Sequence, residues 1–426
     1  MRALLAAAVV WLGALGVAPG AATQAGAAAV EVAPGELPAA LSRAAPGDTL
    51  RLRAGVHQGG FSIEKARLTL EGEPGAVVDG GGHGRVLWVK AEDVTIRHLS
   101  VRHSGVSLFD MDAGVFLDRS ADRATVEDDA FEDNLIAVYV WGPRDATVRR
   151  NEIRGLTTLR RSERGSAIQL WNAPGARVVD NAIVSGRDGV FSTSSRQDIV
   201  RGNSFHDVRF AVHFMYTNDS DVSGNTSVGN DVGYVMMYSN GLRLTDNVSD
   251  HDRDHGLLFN YVNASEIVGN VVRGGKKCVF IYNANKNRFA DNWFEGCDIG
   301  VHFTAGSERN EITGNAFIGN RKQVMYVGTR SLDWSVDGRG NYWSDNAAFD
   351  LNGDGIADEA YRPNDVIDQV VWRAPAAKLL LNSPAVHVVR WAQSQFPAIH
   401  PGGVIDSAPL MAPPHPAALA RLEAER

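Results

Sequence analysis

The stretch AVHFMYTND, residues 211–219, sets His213 two positions before Met215. In a β-strand such residues share a face, so imidazole and thioether point to one side. Met237 follows Met215 by 22 residues, and Met325 follows His302 by 23. Imidazole with thioether is a soft, neutral donor set that favours Cu(I) over zinc, calcium or iron, and without a thiolate the ion stays exchangeable. The competing reading is packing, because methionine is adaptable apolar filler. Which reading holds depends on the face these residues occupy.

Two other stretches carry chemistry. In DLNGDGIADE (350–359), Asp350, Asn352 and Asp354 take positions one, three and five of a Ca²⁺ loop. Gly355 is the turn at six, the Ile356 carbonyl is seventh and Asp358 ninth. Position twelve is Tyr361 instead of Glu, which excludes the full helix–loop–helix form and leaves Glu359 to complete the shell. A structural Ca²⁺ is expected there, against an unmetallated Asx-rich turn. In SDHDRDHG (249–256), Asp252, Asp254 and His255, with Arg273, Lys276 and Lys277 nearby, supply an acid, a base and carboxylate neutralisation. That set suits a lyase or epimerase of acidic sugars; otherwise it is a charged, solvated turn. No paired-carboxylate array accompanies it, so the enzyme is the secondary reading.

A repeat positions all of these groups. ATVRRNEIRG, RVVDNAIVSG, DIVRGNSFHD, SDVSGNTSVG, LRLTDNVSDH, SEIVGNVVRG, NRFADNWFEG and NEITGNAFIG centre on Asn151, Asn181, Asn203, Asn225, Asn247, Asn270, Asn292 and Asn315. From Asn181 the steps are 22, 22, 22, 23, 22 and 23; the first step is longer because LTTLRRSER (156–164) is inserted. Short β-rich runs between Gly, Asn and Asp turns, with no helix-length periodicity, predict an all-β parallel β-helix of about 22 residues per coil. The Asn residues would stack as an internal amide ladder.

Counting from each Asn separates two sets. Val190/Ser192, Val212/Phe214, Tyr234/Met236, Leu257/Phe259, Val279/Ile281, Val301/Phe303 and Val324/Tyr326 are overwhelmingly apolar and belong inside. The alternate set points outward: Tyr139/Trp141, Gln169/Trp171, Phe191/Thr193, His213/Met215, Val235/Met237, Leu258/Asn260, Phe280/Tyr282, His302/Thr304 and Met325/Val327. An outer face this rich in aromatics and Met marks a binding site or an interface. Stacking makes Met215 and Met237 vertical neighbours beside His213, and pairs His302 with Met325.

The ends differ in composition. Residues 1–29 have one Arg, an apolar run and Ala-x-Ala sites, as a secretory signal does. Residues 30–345 form the β-helix, with ELPAALSRA as a helical cap, and 346–426 a C-terminal extension. A net charge of −8 gives no basic footprint for nucleic acid. The two cysteines, Cys278 and Cys297, are either bridged or free in a disulfide-permissive compartment.

The repeats followed by GNYWSDN, DLNGDGIADEAYRP, KLLLNSPAV and DSAPLM closely resemble the NosD family over almost the whole mature chain. The resemblance implies a right-handed β-helix in the Gram-negative periplasm, associated with an ABC-type ATPase and its membrane permease subunit. It further implies a copper chaperone lipoprotein as partner and a role in forming the copper–sulfur cluster of nitrous oxide reductase. His213, Met215 and Met237, or His302 and Met325, are then candidate acceptors of Cu(I), assigned by register and not by a family motif. The stretch AAKLLLNSPAVHVVRWAQSQFP (376–397) fits a contact to the membrane subunit, or a strap along the solenoid.

Overall fold

The structure is a computed structural model that describes residues 28–304, 306–328, 330–363, 367, 370, 374–380, 383–395 and 403–424. The signal expectation therefore falls almost entirely outside the described residues. Each coil contributes one strand to each of three parallel sheets, of 13, 12 and 13 strands. The coil Asp221–Ser223, Thr226–Val228 and Val232–Met237 is representative. A right-handed parallel β-solenoid results, as the repeat and the resemblance lead one to expect.

The residue before each ladder Asn explains why the chain turns there. Asp180, Gly202, Gly224, Asp246, Gly269, Asp291 and Gly314 all have φ between +53° and +70°. Gly reaches this region without a Cβ clash, and Asp tolerates it better than most side chains. Each Asn then turns inward. From Asn181 to Asn315 every Nδ2 donates to the Oδ1 of the next coil at 2.8–3.0 Å. The same amides reach carbonyls one coil back, such as Asn203 Nδ2 to Val178 O at 2.9 Å. Asn151 and Asn341 extend the ladder at its two ends.

The inward set is buried as expected, and Tyr234 satisfies its hydroxyl by donating towards the carbonyls of Asn225 and Val248. Cys278 and Cys297 are bridged, Cα–Cα 5.7 Å, and both are buried. At the start, Ala29–Val32 pairs with Thr49–Leu52, and the helix Leu37–Arg43 buries Leu37 and Ala40.

At the other end Asp406, from the extension, is fully buried and closes the ladder. Its Oδ2 accepts from Asn341 N at 2.7 Å and Trp343 Nε1 at 2.7 Å. Burial pushes this carboxyl above its ordinary range, and those donors pull it back. The extension then returns along the solenoid, where Ala418 and Leu419 of the helix Ala417–Ala424 pack on Val248, Val271 and Trp293.

Asp129 occupies the ladder position before Asn151, with Oδ1 accepting from Leu99 N at 2.8 Å and Oδ2 buried without a partner. Burial raises its carboxyl well above the usual value of 3.8. A carboxyl raised on folding weakens the folded state above the unfolded pKa, since ionisation is resisted only in the native chain. Asp129→Asn restores an amide to the ladder. It should raise stability by about 1–2 kcal/mol at neutral pH and by nothing below about pH 3.8. Denaturant titration at both pH values checks this; an equal effect at both would reject it.

Candidate metal site

The strand Phe210–Met215 lies in the 12-stranded sheet, flanked by Asp188–Thr193 and Val232–Met237. The register aligns Phe191 with His213, His213 with Val235 and Met215 with Met237. Val212 and Phe214 are fully buried in the core, so His213 and Met215 are on the outer face. That face is not bare. His213 is only 7% exposed and Val235 is fully buried. The His213 ring stacks on Phe191 at 4.7 Å and meets the Phe210 ring edge-on at 5.2 Å.

Apolar rings would ordinarily make an imidazole a poor place to leave a nitrogen unpaired. Here Nδ1 of His213 faces Asp188 Oδ2 at 3.3 Å, while Nε2 is buried with no partner. Asp188 is fully buried too and takes two bonds from Arg209, each 2.8 Å. Burial pushes the Asp188 carboxyl up, but the hydrogen bonds from His213 and Arg209 outweigh it and hold the carboxyl below its usual range. A carboxylate of this kind selects the Nδ1–H tautomer and leaves a lone pair on Nε2, as carboxylates behind metal-bound histidines do. The chemistry of these residues suits a soft cation: one oriented imidazole nitrogen lacking a partner and, by register on the same face, two half-buried methionines in adjacent coils. Among the described residues no group of three or more His, Cys, Asp or Glu could hold a metal.

Sequence reasoning missed Asp188 and Arg209. The only signal was an acid, Asp188, opening an apolar strand one coil earlier. It also missed the border of the site. Tyr216, Tyr238 and Tyr261, each next after Met215, Met237 and Asn260, stack at 5.1 Å and are 40–52% exposed. All three have φ of +50° to +54°, where flanking coils use Asn172, Ser194 and Asn283. Bulky side chains at such positions are uncommon.

His302 and Met325 are aligned in neighbouring strands. His302 packs on Phe280 at 4.9 Å, and its Nδ1 is buried without a partner. Burial, with Lys277 and His255 adding repulsion, lowers its pKa to about 4, so it is neutral at pH 7. Register places this pair four coils from His213, about 19 Å at the strand spacing.

The rival acid–base set is only partly assembled: His255 is aligned with Lys277 in the neighbouring strand and Asp254 lies with Lys276, while Asp252 is set apart. Asp252 is fully buried in the interior, accepting from Ser227 and Ser249 hydroxyls at 2.7 and 2.6 Å. Asp254 pairs with Lys276 at 2.5 Å, Arg273 with Glu295 at 3.0 Å, and the Lys277 ammonium lies over the Phe280 ring. His255 has its pKa lowered to about 4, first by burial and then by Lys277. Interior and exterior placement separates Asp252 from the other members.

In the loop at 350–358, Asp350 accepts from the amides of Gly353, Asp354 and Gly355, and Asp354 Oδ1 from Ile356 N. Asn352 Nδ2 donates to Asp354 Oδ2, and Asp358 Oδ2 accepts from Leu351 N. Backbone amides thus take up much of the carboxylate capacity, and the Ca²⁺ expectation rests on the donor spacing.

Comparison with known proteins bears on this geometry. A family model described as periplasmic copper-binding protein (NosD) matches residues 151–348. The chain is 40% identical over 376 residues to a "Probable ABC transporter binding protein NosD" of Stutzerimonas stutzeri, covering 85% of this chain and 86% of the other. A protein of the same description from Pseudomonas aeruginosa is 39% identical over 399 residues, covering 88% and 93%. A solved PL6-family alginate lyase has TM-score 0.51 at 14% identity, over 76% of this chain and 54% of that one. A second alginate lyase has TM-score 0.50 at 11% identity, over 75% and 93%. These two likenesses are of fold alone.

Proposed function

Because the chain belongs to the NosD family, whose model is described as periplasmic and copper-binding, we propose that it receives Cu(I) on the outer face of its solenoid, at His213, Met215 and Met237, and passes it on. The recipient process is copper–sulfur cluster assembly in nitrous oxide reductase. The donor is a copper chaperone lipoprotein, and the protein works beside the ATPase and permease of an ABC-type transporter, after export by its N-terminal signal. One observation carries the reading: the buried, unpartnered Nε2 of His213, oriented through Nδ1 by Asp188.

Copper is cargo here, and the residues divide the work. Arg209 holds Asp188 anionic, Asp188 keeps the proton of His213 on Nδ1, and Nε2 offers its lone pair. The two thioethers add polarizable sulfur without charge. A neutral donor set binds Cu(I) yet competes weakly with a thiolate acceptor, which suits release. His302 and Met325 offer a second soft pair on the same face. A lyase or epimerase role has the shared fold and the group Asp254, His255, Lys276 and Lys277 in its support but loses Asp252 to the interior, and binding without catalysis is the reading adopted.

Met215→Leu with Met237→Leu keeps size and hydrophobicity while removing sulfur, so folding should persist. Competition titration with a Cu(I) chelator should show binding weakened by at least about tenfold, and reductase maturation in cells should fall with it. A double variant that binds Cu(I) like the parent would remove the site.

A further inference from the structure

At one turn the chain uses residues poorly suited to its backbone, and it does so beside the two methionines. Each strand of the 12-stranded sheet from Val138–Trp141 to Lys277–Tyr282 is followed by a residue with φ in the left-handed region. Gly142, Asn172, Ser194 and Asn283 fill this position in the flanking coils, with φ of +91°, +46°, +55° and +47°. In the three coils between them it is filled by Tyr216, Tyr238 and Tyr261. Gly and Asn reach such angles most readily, and a bulky side chain there costs free energy in every coil that carries it. Strain of this kind persists where a site uses the side chain.

Register sets these tyrosines next to the methionines. Tyr216 follows Met215, Tyr238 follows Met237, and Tyr216 N donates to Met237 O at 3.1 Å. The three rings stack nearly parallel, and each is about half exposed. Two residues beyond them a row of amides runs alongside. Asn240 Nδ2 donates to Asn218 Oδ1 at 3.3 Å and Asn263 Nδ2 to Asn240 Oδ1 at 3.0 Å. Residues 210–219, 232–241 and 255–264 hold a single Asp, Glu, Lys or Arg among them, Asp219. The methionines are thus bordered by an aromatic and amide strip almost without charge.

We infer that Tyr216, Tyr238 and Tyr261 are the docking surface for the protein that hands over Cu(I). Exposed tyrosines supply large, rigid contact area and a hydroxyl each at low entropic cost, and such rings dominate protein interfaces. A soft ion passed between proteins stays on protein ligands throughout, so the two metal sites must meet. A protein approaching Met215 and Met237 touches this strip next. A neutral donor set competes weakly for the ion, so gaining copper is the half of the exchange that needs a long-lived complex. That assigns the surface to the donor rather than the recipient. With one charged side chain in the strip, the complementary face is uncharged, and hydrogen bonds to phenol and amide groups take the place of ion pairs. The inference rests on the proposed function for the place of copper, but association is measured without the metal.

The full chain without its N-terminal signal is titrated calorimetrically with the copper chaperone lipoprotein, freed of its lipid and of copper. Tyr216→Asn, Tyr238→Asn and Tyr261→Asn together install the residue that Asn172 and Asn283 already supply at this turn, so folding should persist. The triple variant should bind the chaperone at least about tenfold more weakly. It should melt no lower than the parent and take Cu(I) from a small chelator with unchanged affinity. Association of the parent should change by less than about threefold between about 0.05 and 0.5 M salt. A parent that does not bind the chaperone, or loses binding with salt, would overturn the inference, as would a triple variant that binds like the parent. So would a lower melting temperature, which would make the stack structural, or weakened binding of the recipient reductase alone. A parent that takes no Cu(I) from the chelator yet binds the chaperone through these tyrosines would remove the proposed function and leave the docking surface standing.

Discussion

Asp406→Ala will open the C-terminal end of the solenoid. The substitution leaves the backbone N–H of Asn341 and the indole N–H of Trp343, both now within 2.7 Å of the carboxylate, buried without acceptors. It also withdraws the longer contact from Asn341 Nδ2 at 3.4 Å. Each abandoned buried donor costs about 1–3 kcal/mol, giving about 4 kcal/mol in all. Coils of a solenoid open from their ends, so the loss appears locally rather than in global melting. Hydrogen exchange of the Asn315 and Asn341 amides should accelerate by about a thousandfold, while amides near Asn203 stay unchanged. Gly340→Ala provides an independent route to the same result, because a Cβ there would fall 1.7 Å from Asp406 Oδ1. Unchanged exchange in both variants would show that the carboxylate does not close the ladder.

Asp188→Asn will weaken Cu(I) binding although Asp188 touches no proposed donor sulfur. The carboxylate fixes the Nδ1–H tautomer of His213 and balances Arg209, and an amide does neither reliably. Loss of such a partner lowers metal affinity by about ten- to a hundredfold. The readout that separates positioning from simple destabilisation is the NMR signature of the His213 ring: the variant should lose its fixed Nδ1–H tautomer while its backbone spectrum persists. Asp188→Glu, which keeps the charge, should recover part of the affinity. Wild-type affinity in Asp188→Asn would mean that the imidazole is oriented by packing on Phe191 and Phe210 alone.

Much of this protein follows from local spacing. Side chains alternate along a strand, and equal coil lengths put equivalent residues in register, so a step of 22 or 23 residues between Asn positions is enough to predict the amide ladder. The same counting assigns Val212 and Phe214 to the core and His213 and Met215 to the outside, and it brings Met215 to Met237 and His302 to Met325. Tertiary structure decided what counting cannot reach. Outward did not mean exposed: Phe191 and Phe210 bury His213, because ring size and rotamer, not register, determine how a face closes over. Asp188 acquires its meaning only through Arg209 and His213, since strand pairing brings the acid of one coil beside the imidazole of the next. The turn SDHDRDHG looks like one constellation in the chain, yet its backbone sends Asp252 inward to two serines and leaves Asp254 outside, half-buried and paired with Lys276. The cap at Asp406 lies 65 residues beyond the Asn341 it serves, and no periodicity links them. Repetition is a local property and is written in the sequence; which polar groups meet at the ends and on the outer face depends on where non-repeating segments return, and only the folded chain brings those atoms together.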